Sequence, residues 1–377
     1  MIIQAFLRWV ETARTGERTR AASALGRAYV DAQMNGLDRR AAEMAMTFLL
    51  DDPSPKVRRA LADALCGCSS VPRGIILGLA EDQPEIAYVV ISRSPVLMDE
   101  DLVDLAARGT LETRALIAAR SFVSRAVSAA IAEIGGEEEI LILLENAGAN
   151  LSRRSLKRIA ERLGCFAAVR DLLLARPDLP SDARHTLVEE VGAALAAFGL
   201  VQMAIGEARV QRITREACDI AAVGMAGTLA VEELPGLVVH LRDTGRLTPA
   251  FLLHALVTGR AEFFSAAIVD LSGVCEKRVR SILSGGRVHS IRALFESAGL
   301  GHDVSETFAA AVLLWRKDTS AGNDSTASVS TALLARLRNE RPSSVNTAMI
   351  DLLERLAFAE ERQSARNYAE LAARQAA

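Results

Sequence analysis

Asp51-Asp52-Pro53-Ser54-Pro55-Lys56-Val57-Arg58-Arg59-Ala60-Leu61-Ala62-Asp63-Ala64-Leu65 is the stretch that decides the fold. Cap-forming Asp and Ser and two prolines precede Val57, Leu61, Ala64 and Leu65, which recur at helical spacing and form one stripe. The pattern predicts a short helix with a sharp start and a single apolar face that needs a neighbour to cover it. A related start, Pro84-Glu85-Ile86, follows downstream of Pro55-Lys56-Val57.

The same plan recurs. Asp101-Leu102-Val103-Asp104-Leu105, running through Gly109 to Thr113-Arg114, superposes without gaps on Ile140-Leu141-Ile142-Leu143-Leu144, running through Gly148 to Ser152-Arg153. A further unit, Asp171-Leu172-Leu173-Leu174-Ala175-Arg176-Pro177 followed by Ser181-Asp182-Ala183-Arg184, puts Pro177 where Gly148 stood. Periods of roughly 30 to 40 residues are those of helix-pair solenoids, where stacking supplies the core that no single pair can build. Half of the residues are apolar but only 4% are aromatic, and Ala and Leu dominate, which favours close-packed helices over sheets. The fold class expected is all-α: a HEAT-like helical-repeat solenoid, read as a right-handed stack, followed by a helical C-terminal domain.

Residues 1–206 are assigned to the helix-pair repeats. From about Gln211 the apolar stretches lengthen, and Thr248-Pro249 marks the strongest helix start in the chain, with Thr248 as cap and Pro249 at the first helical position. Short helices separated by Ser272-Gly273, Gly285-Gly286 and Gly299-Leu300-Gly301 are expected across a C-terminal helical domain, 207–316. Residues 317–330, small and polar, read as a flexible linker, and 331–377 as two C-terminal helices with Met349, Leu352, Leu353, Leu356 and Ala357 on one side of the second.

A net charge of −3, from 44 basic and 47 acidic residues, gives no global attraction to nucleic acid or an anionic membrane. Five cysteines scattered over the chain form no disulfide framework, so a reducing, cytoplasmic location is expected. The N-terminus lacks both a long apolar region and a small-residue cleavage site, so it does not read as a signal peptide. The longest apolar run, Val191 to Gly206, is short of the roughly 20 residues that span a bilayer and reads as a core helix.

The stretch Leu241-Arg242-Asp243-Thr244-Gly245-Arg246-Leu247-Thr248-Pro249-Ala250-Phe251-Leu252-Leu253-His254-Ala255-Leu256 continues through Phe263-Phe264 and Val279-Arg280-Ser281-Ile282-Leu283 to Arg292-Ala293-Leu294-Phe295. It resembles a bacterial family catalogued as a domain of unknown function, whose members also begin with HEAT-like repeats. The resemblance covers most of the chain up to the linker and implies no reaction. Physically its Gly-Arg-Leu-Thr-Pro signature is a turn followed by a helix cap.

No catalytic, cofactor-binding or metal-ligating constellation is evident. Cys66-Gly67-Cys68 lacks a second pair or a nearby His to complete a tetrahedral set. His185, His240, His254, His289 and His302 show no ligand spacing; His240 and His254 sit among apolar residues, whereas an exposed His185 would suit phosphotransfer. Two basic features carry more content. Arg154, Lys157, Arg158 and Arg162 share about one helical face, able to meet phosphates or an acidic partner, although a solvated face paired with Glu161 and neighbouring carboxylates explains the same residues. Val269 to Leu283 is similar to a helix-turn-helix, with a turn at Gly273 and with Lys277, Arg278 and Arg280 on or beside the second helix's exposed face; any tight helix pair turned by glycine gives that pattern. The expectation is a non-enzymatic protein-binding scaffold or adaptor in bacterial regulation or signalling, without cofactor. The alternative is a nucleic-acid-binding regulator that uses the pair at 269–283.

Overall fold

The computed structural model describes residues 2–31, 34–321, 329–338 and 344–376. Among the described residues the chain is all-α, with 23 α-helices and no strand; Val123 and Ala149 make one isolated parallel bridge. No helix among them is long and apolar enough to cross a membrane. Two compact units divide the chain between Leu187 and Val188, ahead of the boundary expected between 206 and 207.

In the unit ending at Leu187, helices alternate between two rows. One row holds Thr15–Asp31, Pro55–Leu65, Pro84–Arg93, Leu111–Ala118, Glu137–Glu145 and Ala167–Leu174, each packed on the next. The other row holds Gly36–Leu50 against Arg73–Ala80, and Asp99–Arg108, Arg125–Ile134 and Arg153–Leu163 in succession. Every helix in this unit therefore leans on its next-but-one neighbour, which explains why the apolar stripes repeat at helix-pair intervals. Val57, Leu61 and Leu65 are fully buried, as the opening stretch requires. Thr15–Asp31 and Pro55–Leu65 approach closely, and a Cβ added at Gly26 would fall 2.6 Å from the Ala64 Cβ; only glycine lets the backbones come so near.

A second element of order is polar. Arg18 reaches Asp52 at 2.8 Å, Arg58 reaches Asp82 at 2.8 Å, Arg73 reaches Asp101 at 3.1 Å and Arg114 reaches Glu139 at 2.8 Å. Their separations run from 24 to 34 residues, one helix pair in each case. Arg120 donates to the Ile91 and Ser94 carbonyls, and Asn146 donates to those of Ala118 and Arg120 at 2.7 Å, so each closes the C-terminal end of a helix one pair upstream. These ties fix the register in which one pair sits on the next.

The unit beginning at Val188 is organised around the helix Pro249–Val257, in which Phe251 through Val257 are all buried. A helix apolar on every side must lie inside. Thr248 caps it by accepting the Phe251 amide at 3.2 Å, with Pro249 following. The helices Ala261–Ser272, His302–Ala321 and Ser344–Ala376 pack on it. Phe263, Phe264, Phe295 and Phe308 are fully buried. The last helix folds back through Met349, Leu353 and Ala357. Of the expected linker at 317–330, residues 317–321 complete the helix His302–Ala321 and Val329 opens Val329–Leu337; residues 322–328 lie outside the described residues.

Candidate functional site

The helix Arg153–Leu163 begins at Ser152, whose hydroxyl accepts the Ser155 amide at 3.0 Å. Its basic residues do share one side, and most of them hold the neighbouring helices. Arg158 donates to both carboxylate oxygens of Glu133 at 2.7 Å and lies 3.9 Å from Glu161. Lys157 meets Asp182 at 3.0 Å. Arg162 donates to the carbonyls of Ala132 at 2.6 Å and Gly135 at 3.1 Å, closing the end of Arg125–Ile134. Arg154 faces the same groove, of about 780 Å³, as Glu133, Lys157, Arg158 and Glu161. The Arg158 hydrogen bond, with Arg162 and Arg154 nearby, holds the Glu133 carboxyl below its ordinary range. The groove therefore presents mixed charge rather than a bare cationic stripe.

The helix pair read at 269–283 comprises Ala261–Ser272 and Glu276–Gly285, joined through Gly273 at φ 66°, a left-handed conformation that suits glycine. Val279 is fully buried and Ile282 half-buried. Arg280 is held by Glu262 at 2.6 Å and Glu276 at 2.9 Å, whereas Lys277 and Arg278 are exposed.

The remaining candidates resolve by burial. His185 is only 2% exposed, on a stretch where Ala183 and Leu187 are also buried, which removes the surface imidazole that phosphotransfer needs. Cys66 is buried at the end of Pro55–Leu65, and the Cys68 sulfur lies 3.2 Å from the Ser70 hydroxyl. Among the described residues no group of three or more His, Cys, Asp and Glu side chains is placed to hold a metal ion.

The run Val191 to Gly206 is not the core helix that its composition implies. It is split between the end of Ser181–Ala196 and the short helix Gly199–Ile205, and five of its large side chains face solvent. Phe198 is 61% exposed, Leu200 74% and Met203 87%, with Leu195 and Ile205 exposed beside them. The short helix packs chiefly on Glu207–Ala226. A seven-residue helix cannot cover apolar side chains on all its sides against one neighbour, so the surplus stays on the surface. The sequence carried a signal, since an apolar run with no polar face and glycines at 199 and 206 has nothing to mark which side is inner.

Two titrating groups lie in the same compact unit. Burial, reinforced by Arg260, pushes His254 down to about 4. Burial pushes Asp219 up to about 6, opposed by Arg246 and assisted by Glu189. Between pH 6.5 and 4 the unfolded chain protonates His254 and the folded chain does not, so this group's contribution is lost as pH falls. Asp219 acts oppositely: the folded chain holds its proton between pH 3.8 and 6, so stability is lost as pH rises through 6. Asp219→Asn is expected to stabilise this unit by about 1–2 kcal/mol at pH 7 and by little at pH 4. It should also steepen the acid loss that His254 imposes. Denaturant midpoints at both pH values test this, and equal shifts at the two would refute it.

No curated protein and no solved structure matches the chain. Residues 86–346, more than half of its length, match a family described as "Uncharacterised protein conserved in bacteria (DUF2336)". They include both the helix pair at 269–283 and the exposed run at 195–205, and the chain belongs to that bacterial family.

Proposed function

We propose that this chain is a non-enzymatic adaptor of bacterial regulation or signalling, a HEAT-like repeat array joined to a helical domain, working in the cytoplasm and docking another protein through the exposed apolar segment Leu195 to Ile205. The supporting observation is the cluster of Leu195, Phe198, Leu200, Met203 and Ile205 on the surface within one short stretch. Single exposed apolar residues are ordinary, but five large ones within eleven residues of chain point to an interaction surface. A protein fits better than a lipid surface. From Glu189 to Arg212 three glutamates stand against two arginines, and membrane-surface helices draw on an excess of basic residues.

The test places a photo-crosslinking amino acid at Leu200 or Met203 in cells of the native host. A discrete crosslink to a different protein, lost when Phe198→Glu is added and unaffected by nuclease, is the expected result. Crosslinks to lipid, to a second copy alone, or to nothing overturn the reading. The nucleic-acid alternative would rest on Lys277 and Arg278, since Arg280 is engaged by two carboxylates. Two phosphate contacts give a salt slope of only about −2 on duplex DNA, so retention on heparin is expected to be weak and unchanged by Lys277→Glu with Arg278→Glu.

A further inference from the structure

Glu207–Ala226 and Ser344–Ala376 flank a groove of about 490 Å³ in the unit beginning at Val188. One wall carries Arg209, Arg212, Ile213 and Glu216, and the other Asp351, Glu354, Arg355 and Phe358. Both sets follow the spacing i, i+3, i+4, i+7, so each occupies one face of its helix. Ile213 is 46% exposed and Phe358 60%, and exposed Ile220 continues the first face. Charge is divided between the walls: two arginines stand against one glutamate on the first, two acids against one arginine on the second. Arg355 meets Glu216 across the groove, and Arg338 meets Glu354 at 2.7 Å. What remains is Arg209 and Arg212 on one wall and Asp351 on the other, all exposed and, among the described residues, without an ion pair.

We infer that this groove is the interface of a symmetric dimer, its occupant being the same groove of a second copy of this chain. The interface of a two-fold dimer must be self-complementary. A two-fold axis along the groove lays each wall on the opposite wall of the other copy, so Arg209 and Arg212 meet Asp351 twice over while Ile213 and Phe358 close the middle. An axis across the groove would set arginine against arginine. The division of charge therefore selects the orientation as well as the occupant. A foreign helix would need one acidic and one basic edge in this register, whereas a second copy of the groove carries both. The inference does not rest on the adaptor reading, because the groove and the exposed segment Leu195 to Ile205 share no residue.

Sedimentation velocity on the 377-residue chain, loaded from about 1 to about 100 µM, should show a monomer and dimer in equilibrium. Raising NaCl from about 0.1 to about 1 M should weaken the dimer by about tenfold or more. Arg209→Glu with Arg212→Glu makes both walls negative, and Asp351→Arg makes both positive. Each of these variants alone should be monomeric, and their equimolar mixture should form the heterodimer. Phe358→Asp should be monomeric, whereas Phe198→Glu, outside the groove, should remain dimeric. Every changed side chain is exposed, so circular dichroism should find the helix content of each variant unchanged, and recovery of the heterodimer on mixing shows independently that both charge variants fold. A parent chain that stays monomeric over the whole range overturns the proposal. So do charge-reversed variants that remain dimeric, and so does a mixture of the two that remains monomeric. A dimer lost in Phe198→Glu and kept in Phe358→Asp puts the contact elsewhere and overturns it as well.

Discussion

Glu139→Ala is expected to destabilise the unit ending at Leu187 by about 3–5 kcal/mol, the cost of removing one partner from a buried ion pair. Glu139 is fully buried, accepts Arg114 Nε at 2.8 Å, and also accepts the Gly136 amide at the start of its own helix at 3.0 Å. Alanine therefore leaves a guanidinium without its carboxylate and a helix end without its cap. The double substitution Arg114→Met with Glu139→Met should recover a large part of the loss, because apolar replacement of both partners removes the stranded charge. Unfolding of a helical array need not be two-state. Amide exchange in Leu111–Ala118 and Glu137–Glu145 is thus the better measurement, and a loss below about 1 kcal/mol would show that the ties between helix pairs are incidental.

Phe308→Ala is expected to cost the other unit about 3–5 kcal/mol. Phe308 is fully buried, stacked on Phe264 with ring centroids 5.9 Å apart and edge-on to Phe295 at 5.6 Å. Truncation leaves a void amid rings that cannot close over it, and forfeits two aromatic contacts worth about 0.5–1.5 kcal/mol each. Protection of amides between Pro249 and Phe308 should fall, while that within the helices from Thr15 to Leu174 should hold. Uniform loss across both sets would show that the two units share one cooperative transition.

The contrast between these two substitutions shows how much was legible in advance. Helix periodicity, caps and turn glycines marked the elements: Val57, Leu61 and Leu65 are buried as their spacing requires, Thr248 caps Pro249–Val257, and Gly273 turns the helix pair. Those are local properties, set by side chains within a few residues of one another. The pairing of Arg114 with Glu139, 25 residues apart, is not local. Arginine and glutamate are common on helix surfaces, and only the stacking of one helix pair on the next selects which of them meet.

The basic face of Arg153–Leu163 makes the same point for the candidate site. Sequence placed Arg154, Lys157, Arg158 and Arg162 together because spacings of three and four share a helix face. Tertiary structure decided what the face does, bringing Glu133, Asp182 and the end of Arg125–Ile134 against it. Likewise His185 and the run Val191 to Gly206 exchange the roles their surroundings in sequence imply, the imidazole buried and the apolar side chains exposed. Periodicity tells which residues lie on one side of a helix. It does not tell whether another helix arrives to cover that side, because covering depends on chain far away. What the sequence determined by itself is therefore the all-α class, most helix starts with their caps, and the recurrence of the helix pair. What only the tertiary structure decided is the uncovered apolar side chains between Leu195 and Ile205 and the engaged basic face of Arg153–Leu163, set by where neighbouring helices fail to meet and where they do.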